Sequence, residues 1–319
     1  MSYQLLADIG GTNARFAVVK DHSTDIQHIQ TLQCENFGSP LQAINHYLSQ
    51  VELQVDQACL AVACPVETDD VKLTNNHWQF SQATLAKNLG ADLVVINDFT
   101  AAAMATTVLG DTDVCWLSRN KTFDLTRQRA IIGPGTGLGV AGMLAHNNKT
   151  LVLSTEGGHR SFSPENEMED YILQFLRNEL GVVSCEELLS GRGMVNIYRA
   201  TCSFYHKPVA LADAESIGNE AMNGDEMASK SLQHFFEILG SVAGDFALSL
   251  GATGGVYIGG GIAPRFSSLL KKSRFRQRFE NKLNYQEYLQ KIPTAVVMHS
   301  QPGLLGAAAY LNNFFEQHH

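Results

Sequence analysis

The sequence predicts an α/β protein of two domains. Apolar strand-like runs alternate with helix-like periodicity along the chain, the pattern of sheets covered by helices. A strand, a glycine turn and a second strand near the N-terminus recur in the middle of the chain, which reads as a duplication. The 319 residues leave room for two domains at about 100–200 residues each. Hydrophobic residues make up 45% and charged residues only 17%. The charged share lies well below the roughly 25% of an average soluble domain, so the chain can build sizeable cores and lacks the composition of disorder.

In chain order, residues 3–20 read as strand YQLLAD, turn IGGTNA and strand RFAVVK. A helix is expected over 40–50, where Leu41, Ile44, Tyr47 and Leu48 fall at helical spacing. ACLAVACPV is a short apolar run of the kind buried on both faces of a sheet. The polar TNNHWQF segment follows, then a helix over 82–89, a strand over 93–96 and an Ala-rich helix over 99–109. Beyond a polar stretch at 119–128, RAII enters GPGTGLG and VAGMLA, a turn at Asn147-Asn148-Lys149 and strand TLVLS. Setting Gly10 on Gly135 lays LLADIGGTNARFAVV over AIIGPGTGLGVAGML, weak in letters but matching in plan. Helices are expected over 167–179, 185–189 and 194–202, and a long one over 227–250 is apolar nearly all round and therefore buried. Strand GVYIGG, a triple glycine, a helix entered at Pro264, strand TAVVMH and a helix over 303–315 close the chain. The boundary is placed near 109–113: a smaller domain of 1–110 plus 300–319, and a larger one of 111–299.

A net charge of −9 opposes binding to a nucleic-acid polymer, which relies on cationic surface to displace counterions. The start, MSYQLLADIGG, has no basic leader, and Asp8 interrupts the apolar run. No apolar stretch reaches the ~18 residues of a membrane span. Six cysteines are scattered without CxxC, and Cys59 and Cys64 fall on opposite faces of their strand. They read as small buried hydrophobes in a reducing cytoplasm rather than as disulfides or zinc ligands.

Three glycine-rich turns each follow a predicted strand: Asp8-Ile9-Gly10-Gly11-Thr12-Asn13, Gly133 to Gly139, and Gly259-Gly260-Gly261. Without a Cβ, such turns let a ligand approach the backbone, and successive free N–H groups form an anion-binding nest. No GxxxxGK[ST] exists, which excludes a P-loop. Gly137-x-Gly139-x-x-Gly142 fits GxGxxG, but a dinucleotide turn must open a helix, whereas VAGMLA reads as the second arm of a hairpin. At the end of strand LVVIN, Asp98 reads by itself as a helix cap. Glu156 and His159, in EGGH, read by themselves as a solvated turn.

DIGGTNAR, INDFTAA, GPGTGLGV, EGGH, LSGRG and GGGI–APRF, in this order, resemble the bacterial glucokinases, specifically the enterobacterial-type glucokinase family of the actin–hexokinase–chaperone ATPase superfamily. The resemblance runs from Tyr3 to about Leu311. It implies two domains of duplicated ribonuclease-H-like, actin-like ATPase architecture around a cleft, phosphorylation of glucose at its 6-hydroxyl by ATP with Mg²⁺, and a homodimer. It turns Asp98 from a cap into the catalytic base and assigns glucose hydroxyls to Asn97, Asp98, Glu156, His159 and, with Glu187 as its neighbouring alternative, Glu186. Ala7, Asp8, Ile9, Gly10, Gly11, Thr12 and Asn13, then Gly135, Thr136 and Gly137, and finally Gly259, Gly260 and Gly261 are assigned to ATP. Asp8 would hold Mg²⁺ through water. Sugar kinases of the repressor–kinase group follow a similar EGGH-like motif with a cysteine-rich zinc site, but RSFSPENEMEDY has no cysteine, so no structural zinc is expected. The alternatives are a kinase of the same fold for mannose, fructose or an amino sugar, and a sugar-binding transcriptional regulator. The latter would need a helix-turn-helix ahead of the first glycine loop, and a loop beginning at Asp8 is expected to leave no room for one. An actin- or chaperone-like ATPase would have no need of EGGH.

Overall fold

The computed structural model describes residues 3–20, 23–74, 76–146 and 149–315. Asn75 of the TNNHWQF segment and the turn expected at Asn147-Asn148 lie outside the described residues. The chain divides into two compact units: Met1–Asp113 with Ala145–Ser154 and His299–His319, and Val114–Leu144 with Thr155–Met298.

The first unit is built on strands β1 (Tyr3–Ile9), β2 (Asn13–Lys20), β3 (Gln27–Gln33), β4 (Gln57–Val62) and β7 (Asp92–Asn97), in the order β3-β2-β1-β4-β7. A two-stranded ribbon of β5 (Asp70–Lys72) and β6 (Gln79–Ser81) lies apart. β1 pairs antiparallel with β2 and parallel with β4, and β4 pairs parallel with β7. Helices α1 (Pro40–Val51), α2 (Gln82–Leu89) and α3 (Asp98–Ala105) alternate with these strands. Ser39 and Ser81 begin α1 and α2 by accepting from Gln42 and Thr84 N–H, the usual answer to the unpaired amides of a first turn. Helix α3 stops short of the expected 109. Thr106 and Thr107 turn their hydroxyls back onto the carbonyls of Ala103 and Met104, a competition that ends helices. Strand β3 was not expected, because QHIQTLQ is an edge strand with few buried positions to give an alternating apolar signal.

The second unit repeats this plan. Strands β8 (Val114–Trp116), β9 (Arg129–Pro134), β10 (Leu138–His146), β11 (Lys149–Thr155), β12 (Gly255–Ile258) and β13 (Thr294–Val297) form a sheet in the order β11-β10-β9-β12-β13-β8, of which the end of β10 and all of β11 but Thr155 fall within the residues assigned to the first unit. β9 pairs antiparallel with β10 and parallel with β12, and β12 pairs parallel with β13, so the hairpin-then-parallel order of the first sheet recurs. GxGxxG opens strand β10, as the hairpin reading required. Around the sheet lie α4 (Glu167–Leu180), α5 (Gly191–Phe204), α6 (Ala214–Asn223) and α7 (Glu226–Ser249), with four short helices α8 (Ile262–Arg265), α9 (Ser267–Lys272), α10 (Phe275–Glu280) and α11 (Gln286–Gln290). Most of α7 is buried, as its all-round apolarity implied. The helix expected over 185–189 is only a single 3₁₀ turn, Cys185–Glu187.

The closing helix α12 (Pro302–Phe315) belongs to the first unit. Its Leu304, Ala307, Ala308 and Leu311 bury against Leu6, Ala17, Cys59, Ile96 and Ala101. Cys64 lies in the core on the other side of the sheet, so Cys59 and Cys64 do face opposite ways. Contact between α12 and α3 is backbone-close: a Cβ on Gly306 would stand 1.7 Å from the Ala101 carbonyl oxygen. A backbone carbonyl in a helix cannot move aside, so Gly306→Ala is expected to cost about 3 kcal/mol, the upper end for overpacking. Gly110→Ala, whose Cβ would meet its nearest neighbour at an ordinary 3.6 Å, serves as the unaffected control. Urea unfolding midpoints of the two variants against the parent check this.

Candidate active site

Register places the candidate residues of the first unit. Ile9 pairs with Val62, and Val62 with Asn97, so these three residues form one row across three adjacent parallel strands. Gly10 and Asp98 each stand one residue beyond that row, separated by two interstrand spacings of about 4.8 Å. The first glycine turn and the start of α3 therefore share the C-terminal edge of the sheet, where α/β folds place their ligands.

Asn97, not Asp98, caps α3: its Oδ1 accepts from Phe99 N–H at 2.8 Å, and its Nδ2 donates to the Cys64 carbonyl at 3.3 Å. Asp98 is the first helical residue, with Oδ1 accepting from the Phe99 amide at 2.9 Å. Burial pushes the nearby Cys64 thiol up, and the Asp98 and Glu67 carboxylates push it further, which keeps that thiol protonated and unreactive.

Asp8 lies opposite Arg15 across the β1–β2 hairpin, with Nη1 to Oδ2 at 3.3 Å. Its carboxyl also abuts the first turn of α12, where a Cβ on Gly303 would come within 2.6 Å of it. Burial raises the Asp8 pKa, and the Arg15 guanidinium offsets part of that rise. Ala7 and Ile9 point into the core, fully buried, so they offer a ligand no side chain. The turn itself is closed by Gly10 N–H donating to the Asn13 carbonyl at 2.9 Å, and is held from outside by Asn76 Nδ2 on the Gly10 carbonyl and Cys34 N–H on the Thr12 carbonyl. Sequence reading assigned nothing to Asn76 or Arg15, because their roles depend on a tertiary partner.

In the second unit, Gly135 N–H donates to the Gly137 carbonyl and Gly259 N–H to the Ile132 carbonyl, both at 2.8 Å. Gly260 has φ +75°, and a Cβ there would meet the Pro134 carbonyl oxygen at 2.3 Å, so the second and third glycine turns pack backbone to backbone. Gly10 and Gly135 thus spend their amides inside their own turns, and Gly259 spends its amide on Ile132 of strand β9. Gly11, Thr12, Thr136, Gly137, Gly260 and Gly261 retain N–H groups with no partner among the described residues.

Glu156 and His159 flank a 3₁₀ turn, Gly157–His159, with Glu156 Oε2 4.0 Å from His159 Nε2 and both side chains mostly exposed. Glu186 and Glu187 part company. Glu186 Oε2 accepts from Leu138 N–H at 3.0 Å, and a Cβ on Gly137 would come within 2.6 Å of it. Arg192 Nη2 bonds both, Glu187 Oε1 at 2.7 Å and Glu186 Oε1 at 3.4 Å, and Glu187 also accepts from Asn196 Nδ2. Of the two, only Glu186 meets the second glycine turn.

Unpartnered amides in Cβ-free turns suit phosphate oxygens, and Asp8, a single partly buried carboxylate, suits a hydrated Mg²⁺, which keeps most of its waters. Among the described residues no group of three or more His, Cys, Asp or Glu converges as a metal cage, and no helix is long and apolar enough to cross a membrane.

The chain matches a family model described as Glucokinase over residues 5–314. It is 43% identical over 314 residues to a glucokinase of Hahella chejuensis, covering 98% of this chain and 97% of that one. The solved structure of a glucokinase from an Antarctic psychrotroph superposes with a TM-score of 0.91 at 38% identity, covering 98% of this chain and 99% of that chain. A glucokinase of Balamuthia mandrillaris, solved in complex with glucose, shares the fold at a TM-score of 0.81 and 20% identity, over 98% of this chain and 93% of that chain. The two-domain α/β fold of the actin-like ATPases expected from the sequence is the fold of these structures.

A carboxylate whose burial raises its pKa costs stability above that raised value, and the cost is absent below the unfolded value of about 3.9. Asp8→Asn is therefore expected to raise Tm at pH 7, with the gain vanishing as the pH falls toward 4. Melting curves across that range check it; a lower Tm at pH 7 would mean that the Arg15 pair outweighs burial.

Proposed function

The chain belongs to the glucokinase family, and from that premise we propose how its residues divide the transfer of the ATP γ-phosphoryl group to the 6-hydroxyl of glucose. It is a hexokinase-type phosphotransferase. The observation that carries the assignment is the shared row of Ile9, Val62 and Asn97, which sets Asp98 and the first glycine turn on one sheet edge. Phosphoryl transfer to an alcohol needs an acceptor oxygen in line, a group to receive its proton, and positive charge or N–H groups around the phosphates.

Asp98 receives the proton of the 6-hydroxyl as that oxygen attacks. Its Oδ1 is oriented by the Phe99 amide at the first turn of α3, where the helix N-terminus favours negative charge. Asn97 already spends Oδ1 on Phe99 and one Nδ2 proton on Cys64; its second Nδ2 proton is the donor available to a sugar hydroxyl. Glu156, His159 and Glu186 take further hydroxyls, with the carboxylates accepting and the imidazole donating or accepting. The amides of Gly11 and Thr12, of Thr136 and Gly137, and of Gly260 and Gly261 hold the nucleotide. Asp8 would hold Mg²⁺ through water, and the ion when bound would neutralise phosphate charge. Excluding bulk water from the reacting groups favours the sugar over water as acceptor. The homodimer and the cytoplasmic setting implied by the resemblance complete the proposal.

General-base assistance is worth about 10²–10⁴-fold. Asp98→Asn is expected to lower kcat by that factor while glucose still binds by calorimetry and Tm is retained. Near-normal turnover removes Asp98 from the mechanism. The same coupled ADP assay run on glucose, mannose, fructose and glucosamine reads the sugar preference directly.

A further inference from the structure

We propose that Arg160 and Asp245 act as one positioning unit that sets the pose of Glu156, His159 and Glu186; this rests on the reading of those three as glucose ligands.

The side chains of Glu156 and His159 are 80% and 61% exposed, with a 4.0 Å approach to each other as their recorded polar contact. Side chains this loosely held take their direction from the backbone beneath them. That backbone is pinned at each residue. Gly157 N–H donates to Thr155 Oγ1 at 3.2 Å, and His159 N–H donates to the Glu156 carbonyl at 3.0 Å. A Cβ on Gly158 would stand 2.1 Å from the Leu138 carbonyl oxygen, and one on Gly157 would stand 2.8 Å from the Phe246 ring. The next residue is Arg160. Its Nη2 donates to Asp245 Oδ2 at 2.5 Å, and its guanidinium lies over the Phe246 ring, 5.1 Å from the centroid. Its carbonyl accepts from Cys185 N–H at 2.9 Å, the residue before Glu186. Arg160 is thus the shared anchor of both sugar-facing segments, by its side chain for one and its backbone for the other.

Asp245 is itself held. Lys282 Nζ reaches its Oδ1 at 2.8 Å and bonds Glu165 Oε1 at 2.6 Å and Ser241 Oγ at 2.9 Å. Asp245 and Phe246 sit on adjacent positions of α7, so the anchor refers the exposed turn to the long, mostly buried helix of its unit. A guanidinium does this better than an ammonium, because its planar fork can bond a carboxylate and stack on a ring at once. Neither residue touches the sugar in this scheme; their effect passes through the turn.

Steady-state kinetics on the full chain, varying glucose and ATP in turn, test the proposal with Arg160→Lys, Asp245→Asn and the double variant. Loss of a charge-assisted hydrogen bond predicts a glucose KM raised about 10-fold or more, with the ATP KM within about twofold. Because the pair is one device, the double variant should be no worse than the more damaging single variant. A lowered Tm with unchanged glucose KM means that the pair is merely structural and overturns the proposal, as do single effects that multiply. Should a variant fold poorly, calorimetric titration of its folded fraction with glucose gives the same comparison. Glu156→Gln and His159→Ala separate the two layers: if they leave the glucose KM unchanged, the sugar-site reading itself fails. If they raise it and the Arg160 and Asp245 variants do not, only the positioning role fails.

Discussion

The parallel pairing of β1, β4 and β7 is the constraint on which the rest depends. In a parallel ladder every strand ends at the same edge, and whatever the chain does next begins there. Ile9, Val62 and Asn97 share a row, so a glycine turn, the loop through Cys64 and the start of α3 emerge side by side. Asn97 serves that convergence twice, capping α3 and tying it to the Cys64 carbonyl. The second unit applies the same rule with β9 and β12, whose turns pack against each other through Gly260 and Pro134. Two sheets of the same plan therefore each gather the segments that follow their parallel strands at one edge.

In the proposed function, a chain with a net charge of −9 holds a polyanion through backbone amides rather than lysine clusters. Backbone amides do this without adding charge, provided that no side chain stands in front of them and no carbonyl has already claimed them. The structure limits the supply: Gly10 and Gly135 spend their amides on their own turns and Gly259 spends its amide on strand β9, and the remaining amides are those of their neighbours. The glycines therefore have two duties. Some close the turn, and others leave the approach open.

How much was legible follows from what each feature depends on. The β1 and β9 hairpins, the helices α1 and α2 and the burial of α7 follow from local pattern, and the sequence shows them. β3 does not announce itself, because an edge strand gains little from burial and QHIQTLQ carries almost no apolar alternation. At the candidate site, Asp8, Asn97, Asp98, Glu156 and His159 stood out through motifs. That Glu186 rather than Glu187 meets the second glycine turn did not follow from the sequence: both bond Arg192, and they part only in their other partner, Leu138 N–H for Glu186 and Asn196 for Glu187.

The sequence by itself determined the fold class, the duplication, the family and the residue types that chemistry requires, because periodicity and motif spacing are properties of neighbouring residues. Tertiary structure decided which amides stay unpartnered, that Asn97 rather than Asp98 caps α3, and that Arg160 is anchored by Asp245 across 85 positions of the chain. The physical reason is the same throughout. A hydrogen bond or an ion pair depends on distance in space, and only the folded sheets and helices bring those partners within reach.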